Sequence, residues 1–234
     1  MKEITQIRKL SLWIFFVPFI AINLCLLISI NYSFLENTFF IVDEIGRSKF
    51  SIPYIDGSLS ISRASRTFPQ FLIFKPAMVL TGVLLVLYWK NNNKLINNFS
   101  NLKNKNFYFK FFGILSAIFL IIHSIFLGIE FDILLIKLLR RVILLGFILC
   151  EIIAQGLLVY SLFKIQNNIA SYSNKKILNL KLVLVGLMFV VALICAPILS
   201  NEDYTHLKHG LEWNYFLGII LFYFLTNLFW KRTT

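Results

Sequence analysis

The sequence predicts an all-α, polytopic membrane protein: a six-transmembrane-helix bundle with both termini cytosolic (N-in/C-in) and a long first outer loop. Three observations carry this expectation. The 234 residues are 58% hydrophobic with a mean hydropathy of +0.77. Their apolar residues gather into six stretches near the roughly 20 residues a helix needs to cross a hydrocarbon core. The basic residues collect between alternate stretches. A formal charge of +12 by itself would suggest a nucleic-acid partner, but a soluble domain with 25 Phe and 16% aromatic residues would have nowhere to bury them. No nucleic-acid partner is therefore expected.

The stretches run Leu10 to Ile30, Phe71 to Trp89, Phe111 to Ile129, Val142 to Phe163, Leu182 to Leu199 and Leu211 to Trp230, in a single domain spanning 1–234. Lys2, Arg8 and Lys9 precede the first as in a secretory signal. Its apolar run exceeds the usual h-region of about 7 to 15 residues, however, and Ser29-Ile30-Asn31 makes a poor cleavage site, so a retained anchor is expected. With the N-terminus inside, the cytosolic segments hold 14 of the 23 basic residues, Lys181 among them, and one acid, Glu3. That is the positive-inside pattern. Lys137, Arg140 and Arg141, in the short outer connection from Glu130 to Arg141, are its one blemish.

Two predicted cytosolic loops, Lys90 to Lys110 and Lys164 to Lys181, read as Asn- and Lys-rich solvated linker able to touch anionic headgroups or a protein partner. The outer loop 31–70 is too long for a mere connector. Phe39 to Val42 would lie on the membrane surface. Pro53-Tyr54-Ile55-Asp56-Gly57 is turn-forming. The hydroxyl/apolar alternation from Ser58 to Arg66 predicts a short extended stretch laid over the bundle. Its arginines, Arg63 and Arg66, suit a phosphate headgroup.

Ionisable groups within spans are costly and therefore functional candidates. Lys75, His123 and Glu212 fall toward the outer side. Glu151 and Gln155, one turn apart, make a polar patch near mid-membrane that would serve as packing glue or as a proton or solute contact. Asp203, His206, His209 and Glu212 form the densest cluster; His206, His209 and Glu212 could ligate a metal but lack zincin spacing, so no metal and no cofactor is expected. Cys25, Cys150 and Cys195 lie in spans and predict no disulfide. No soluble-hydrolase or nucleotide motif is present.

Ile52-Pro53-Tyr54-Ile55-Asp56-Gly57, the Leu211-Glu212-Trp213 string and Thr226-Asn227 together resemble the DRAM/Sfk-like six-span family, which includes lipid-remodelling factors of GPI anchors. The resemblance implies a protein that binds or remodels a lipid or lipid-linked headgroup on the outer or luminal leaflet. Asp56, Arg63, Arg66 and Lys75 would then contact the headgroup, with His123 and Glu212 as candidate catalytic groups. The rival readings are a non-enzymatic membrane adaptor and a small-solute or proton carrier centred on Glu151 and Gln155. The membrane would be the inner membrane of a bacterium, or the Golgi, ER or plasma membrane of a eukaryote.

Overall fold

The computed structural model describes residues 2–35, 38, 50–99, 108–129, 134–195 and 202–231, with side chains from 138 and 203 onward in the last two of the internal segments' helices. Phe39 to Val42 and the start of the 130–141 connection lie outside the described residues. All regular structure described is helical. In chain order the α-helices are α1 (Lys2–Ile30), α2 (Pro53–Asp56), α3 (Ile61–Ser65), α4 (Gln70–Phe99), α5 (Tyr108–Phe126), α6 (Leu134–Lys164), α7 (Gln166–Ile169), α8 (Lys175–Cys195) and α9 (Thr205–Phe229). The long helices form a closed ring in sequence order, in which α1 packs on α4, α4 on α5, α5 on α6, α6 on α8, α8 on α9, and α9 returns to α1.

Five of these helices, α1, α4, α5, α6 and α8, are long and apolar enough to cross a membrane. Their outward faces carry exposed Trp13, Leu27, Leu80, Ile125, Leu149 and Leu187. A soluble monomer rarely presents so continuous an apolar girdle, whereas in lipid it costs nothing. The chain thus has the helical character of a multi-pass integral membrane protein. The sixth predicted span falls on α9 up to Phe229, with Trp230 just beyond the helix end; α9 carries Glu212, Asn214, Thr226 and Asn227 among its apolar residues and is not one of the five.

Close approach between helices comes from small residues. Any Cβ on Gly113 of α5 would collide with the Trp89 ring of α4, and one on Gly82 of α4 would strike Ile121 of α5. Trp89 itself is fully buried, which would be impossible with a side chain at 113.

The structure revises several local expectations. α4 does not stop at Trp89 but continues through the Asn-rich run to Phe99, giving a helix about 45 Å long at 1.5 Å per residue. Asn92, Leu95 and Ile96 are buried there, and Lys94 pairs with Glu3 at 3.4 Å, so this segment is packed helix rather than solvated linker. α8 begins at Lys175, and Lys181, counted with the cytosolic loop, is 0% exposed inside the bundle. The stretch expected to be extended after Ser58 is instead the helical turn α3. Its start is fixed by the Ser60 hydroxyl, which accepts from the Arg63 amide at 3.1 Å and satisfies an otherwise orphan donor.

The segment 50–69, containing α2 and α3, lies against one end of the ring and is called the lid. Gly57 ends α2 in the left-handed region, with φ 59°, and a Cβ there would run into the His206 backbone carbonyl. Conformation and space both demand glycine. Gly57→Ala is expected to destabilise lid docking by about 1 to 2 kcal/mol or more. Limited proteolysis of the detergent-solubilised protein should then cut within 50–69 faster than in wild type, and an unchanged cleavage rate would contradict this role.

Candidate functional site

The lid is held chiefly by the first turns of α9. The Trp213 indole N–H donates to the Leu59 carbonyl at 2.7 Å, the Asn214 amide donates to the Tyr54 carbonyl at 2.8 Å, and His209 Nδ1 lies 3.1 Å from the Gly57 carbonyl. Trp213 is 0% exposed and meets the Tyr54 ring edge-on with centroids 4.8 Å apart. Glu212 accepts from the amides of Ser62, at 3.3 Å, and Ile61, the first two residues of α3. Those amides have no partner within the helix, so the carboxylate supplies what a helix start lacks. On the other side the Tyr54 hydroxyl donates to Asn23 of α1 at 3.2 Å, and Ser29 of α1 donates to the Ala64 carbonyl at 3.3 Å.

Asp56 serves the lid internally. Its two carboxylate oxygens accept from the amides of Ser58 and Ile52, each at 2.9 Å, and the Ser58 amide holds its pKa below the ordinary aspartate value. The stability linked to this group is present above the unfolded pKa and is lost as pH falls through the folded one.

Beneath the lid, inside the ring, lies a narrow cavity of about 80 Å³. α1, α4, α5, α6 and α9 build its walls and α3 contributes Ile61 and Ser62. The lining is almost wholly apolar, with Phe74, Met78, Leu120, Phe147 and Ile219 typical of it. Its polar members are Ser62, Thr81, His123, Glu212 and Tyr223. Glu212 and Tyr223 are eleven residues apart on α9, so the lining extends about 16 Å along the bundle. His123 and Glu212, from distant parts of the chain, thus face one space.

At the far end of the cavity a second polar layer crosses the bundle. Glu151 on α6 is 0% exposed and accepts from the Ser116 hydroxyl of α5 at 2.5 Å, from the Tyr223 hydroxyl of α9, and from Gln155 at 3.2 Å. Gln155 also reaches the Ile219 carbonyl at 3.3 Å. One carboxylate therefore ties three helices together, as polar side chains do where apolar helices meet in lipid. Next to it the Tyr88 ring packs edge-on against Tyr223 with centroids 4.9 Å apart, and its hydroxyl lies 3.2 Å from Thr226 Oγ1. Lys181 of α8 donates to the same Thr226 oxygen at 2.8 Å, with its ammonium 3.9 Å from the Phe222 ring centroid. The sequence does not single out Lys181, Tyr88, Tyr223 or Ser116 as site residues, and Thr226 enters it only within the Thr226-Asn227 string. The three-residue spacing of Tyr223 and Thr226 was the available signal.

The other candidates are dispersed. Arg63 is exposed on α3, Arg66 is half-buried, and Lys75 sits 5.4 Å over the Phe71 ring; none of them lines the cavity. His206 is exposed while His209 and Glu212 are engaged by the lid. Among the described residues no group of three or more His, Cys, Asp or Glu is arranged to hold a metal ion.

Comparison of the chain with family models, with curated proteins and with solved structures gave no match.

The two buried ionisable groups should respond oppositely to isosteric change. Tyr223→Phe removes a donor from a buried carboxylate and is expected to cost about 1.5 to 3 kcal/mol. Lys181→Met keeps the stem packed among aromatics while removing a charge that has no carboxylate partner within 4.0 Å among the described contacts, so it should be neutral or stabilising. Thermal unfolding in a fixed detergent measures both, and a Lys181→Met protein less stable than Tyr223→Phe would contradict this assignment.

Proposed function

We propose that the chain is a six-span, N-in/C-in membrane protein that binds a lipid on the outer or luminal side, with the polar end of the lipid's chain in the lid-covered cavity. In this reading α9 is the sixth span and the lid faces the outer leaflet. The cavity carries the proposal: a slot walled by five helices and lined mostly by apolar side chains, with Ser62 and Glu212 at the lid and Tyr223 eleven residues further along α9. Such a lining complements the polar end of a chain and the carbons next to it rather than a hydrated solute, and at about 80 Å³ it takes only that end. The resemblance to the DRAM/Sfk-like family points to the same class of ligand.

Binding, rather than carriage of a proton or solute, is favoured by the state of Glu151. It is buried, has three side-chain donors on its carboxylate, and does not line the cavity. Its place is that of a helix tie. Glu212 is likewise engaged with the lid, so His123 is the group left to address a bound molecule.

Native mass spectrometry of protein purified in mild detergent tests the reading. Wild type should retain a co-purifying lipid, and Met78→Trp, which fills the slot, should lose most of it while remaining folded. A wild-type protein without bound lipid, or a folded Met78→Trp protein that retains it fully, would sink the proposal.

A further inference from the structure

His123 is only 6% exposed, lines the cavity, and its Nδ1 has no hydrogen-bond partner. Buried polar atoms are nearly always satisfied, because leaving one unpaired costs the full desolvation of that group. Three of the other four polar side chains on the same walls are already engaged. The Thr81 hydroxyl donates to Ala77, the Tyr223 hydroxyl donates to Glu151, and Glu212 receives the amides of α3. Of the buried side-chain polar atoms without a partner among the described residues, Nδ1 of His123 is the one on the cavity wall.

We infer that the cavity takes the hydroxyl end of an uncharged lipid chain, whose O–H hydrogen-bonds to His123 Nδ1. This inference rests on the proposed lipid-binding role and specifies the ligand's chemistry. The walls select among headgroups. No Lys or Arg is among the lining residues, so a carboxylate ligand would find no cation to pair with on the slot's own wall and would have to give up its hydration among apolar side chains. An ammonium ligand would have to enter an apolar slot whose one carboxylate already receives two lid amides, and desolvating the cation would dominate. An alcohol carries no charge, offers the single donor that a neutral imidazole nitrogen accepts, and leaves its chain to the apolar lining. The slot is narrow and roofed by α3, which suits a hydroxyl and not a bulky polar head.

Competition measured by native mass spectrometry on the full chain tests this with four probes of one chain length: 1-dodecanol, its methyl ether, dodecanoate and dodecylammonium. The ether keeps the oxygen and loses the proton. Wild type should favour the alcohol over the ether by about tenfold, the scale of one buried hydrogen bond, and over both charged probes by more. In His123→Leu the alcohol-to-ether ratio should fall to about one, with ether binding retained, and His123→Gln should restore part of the preference. The retained ether binding shows that the variant is folded. Equal binding of alcohol and ether to wild type, with Met78→Trp abolishing both, would overturn the His123 assignment and leave the lipid cavity standing. Tightest binding of dodecanoate or dodecylammonium would also overturn it. Binding of none of the probes would remove both readings together.

Discussion

The Glu212 carboxylate on the first amides of α3 is the contact on which the lid side of the molecule depends. A short helix laid across a bundle has backbone donors it cannot satisfy itself, and burying them unpaired would cost more than the packing returns. Glu212 settles that cost from one direction, while Trp213 and Asn214 take up lid carbonyls from the same helix. Because these residues are successive on α9, the lid is set by one rigid element. The roof of the cavity is thereby fixed relative to its wall, since α9 also contributes Phe216, Ile219, Ile220 and Tyr223 to the lining.

The opposite end follows the same logic with different chemistry. Helices that are apolar toward lipid gain little from the hydrophobic effect when they associate, so close packing and interhelical hydrogen bonds must supply specificity. Gly82 and Gly113 bring α4 and α5 together, and Glu151 joins α5, α6 and α9. Lys181 is of another kind, an ammonium seated on aromatic faces and a threonine hydroxyl. Between the lid contacts and this layer the interior is apolar and incompletely filled, so both ends of the cavity are structurally defined.

Much of the helical architecture was legible because it depends on local hydropathy. The apolar runs correspond to helices, and the one-turn spacing of Glu151 and Gln155 placed them in one patch. What escaped depends on tertiary context. By charge placement a lysine near the end of an apolar run is indistinguishable from one at its flank; the Phe222 and Phe229 rings and the Thr226 hydroxyl across the interface make a buried site for Lys181. The Asn-rich run after Trp89 looked solvated, yet the packed face formed by Asn92, Leu95 and Ile96 follows helical spacing and was outvoted by composition. The two backbone partners of Asp56, Ile52 and Ser58, are invisible in a composition of side chains. Span directions put His123 and Glu212 each toward the outer side, and it is the ring closure of α9 on α1 that brings them to one cavity.

The most direct measurement is a cryo-electron microscopy map of the wild-type protein in lipid nanodiscs. Lid-covered lipid binding predicts density within the slot between Phe74, Leu120 and Ile219, with its polar end beside His123 and the lid closed over it. A slot that is collapsed or empty, with ordered lipid only on the outer surface of the helices, would contradict it.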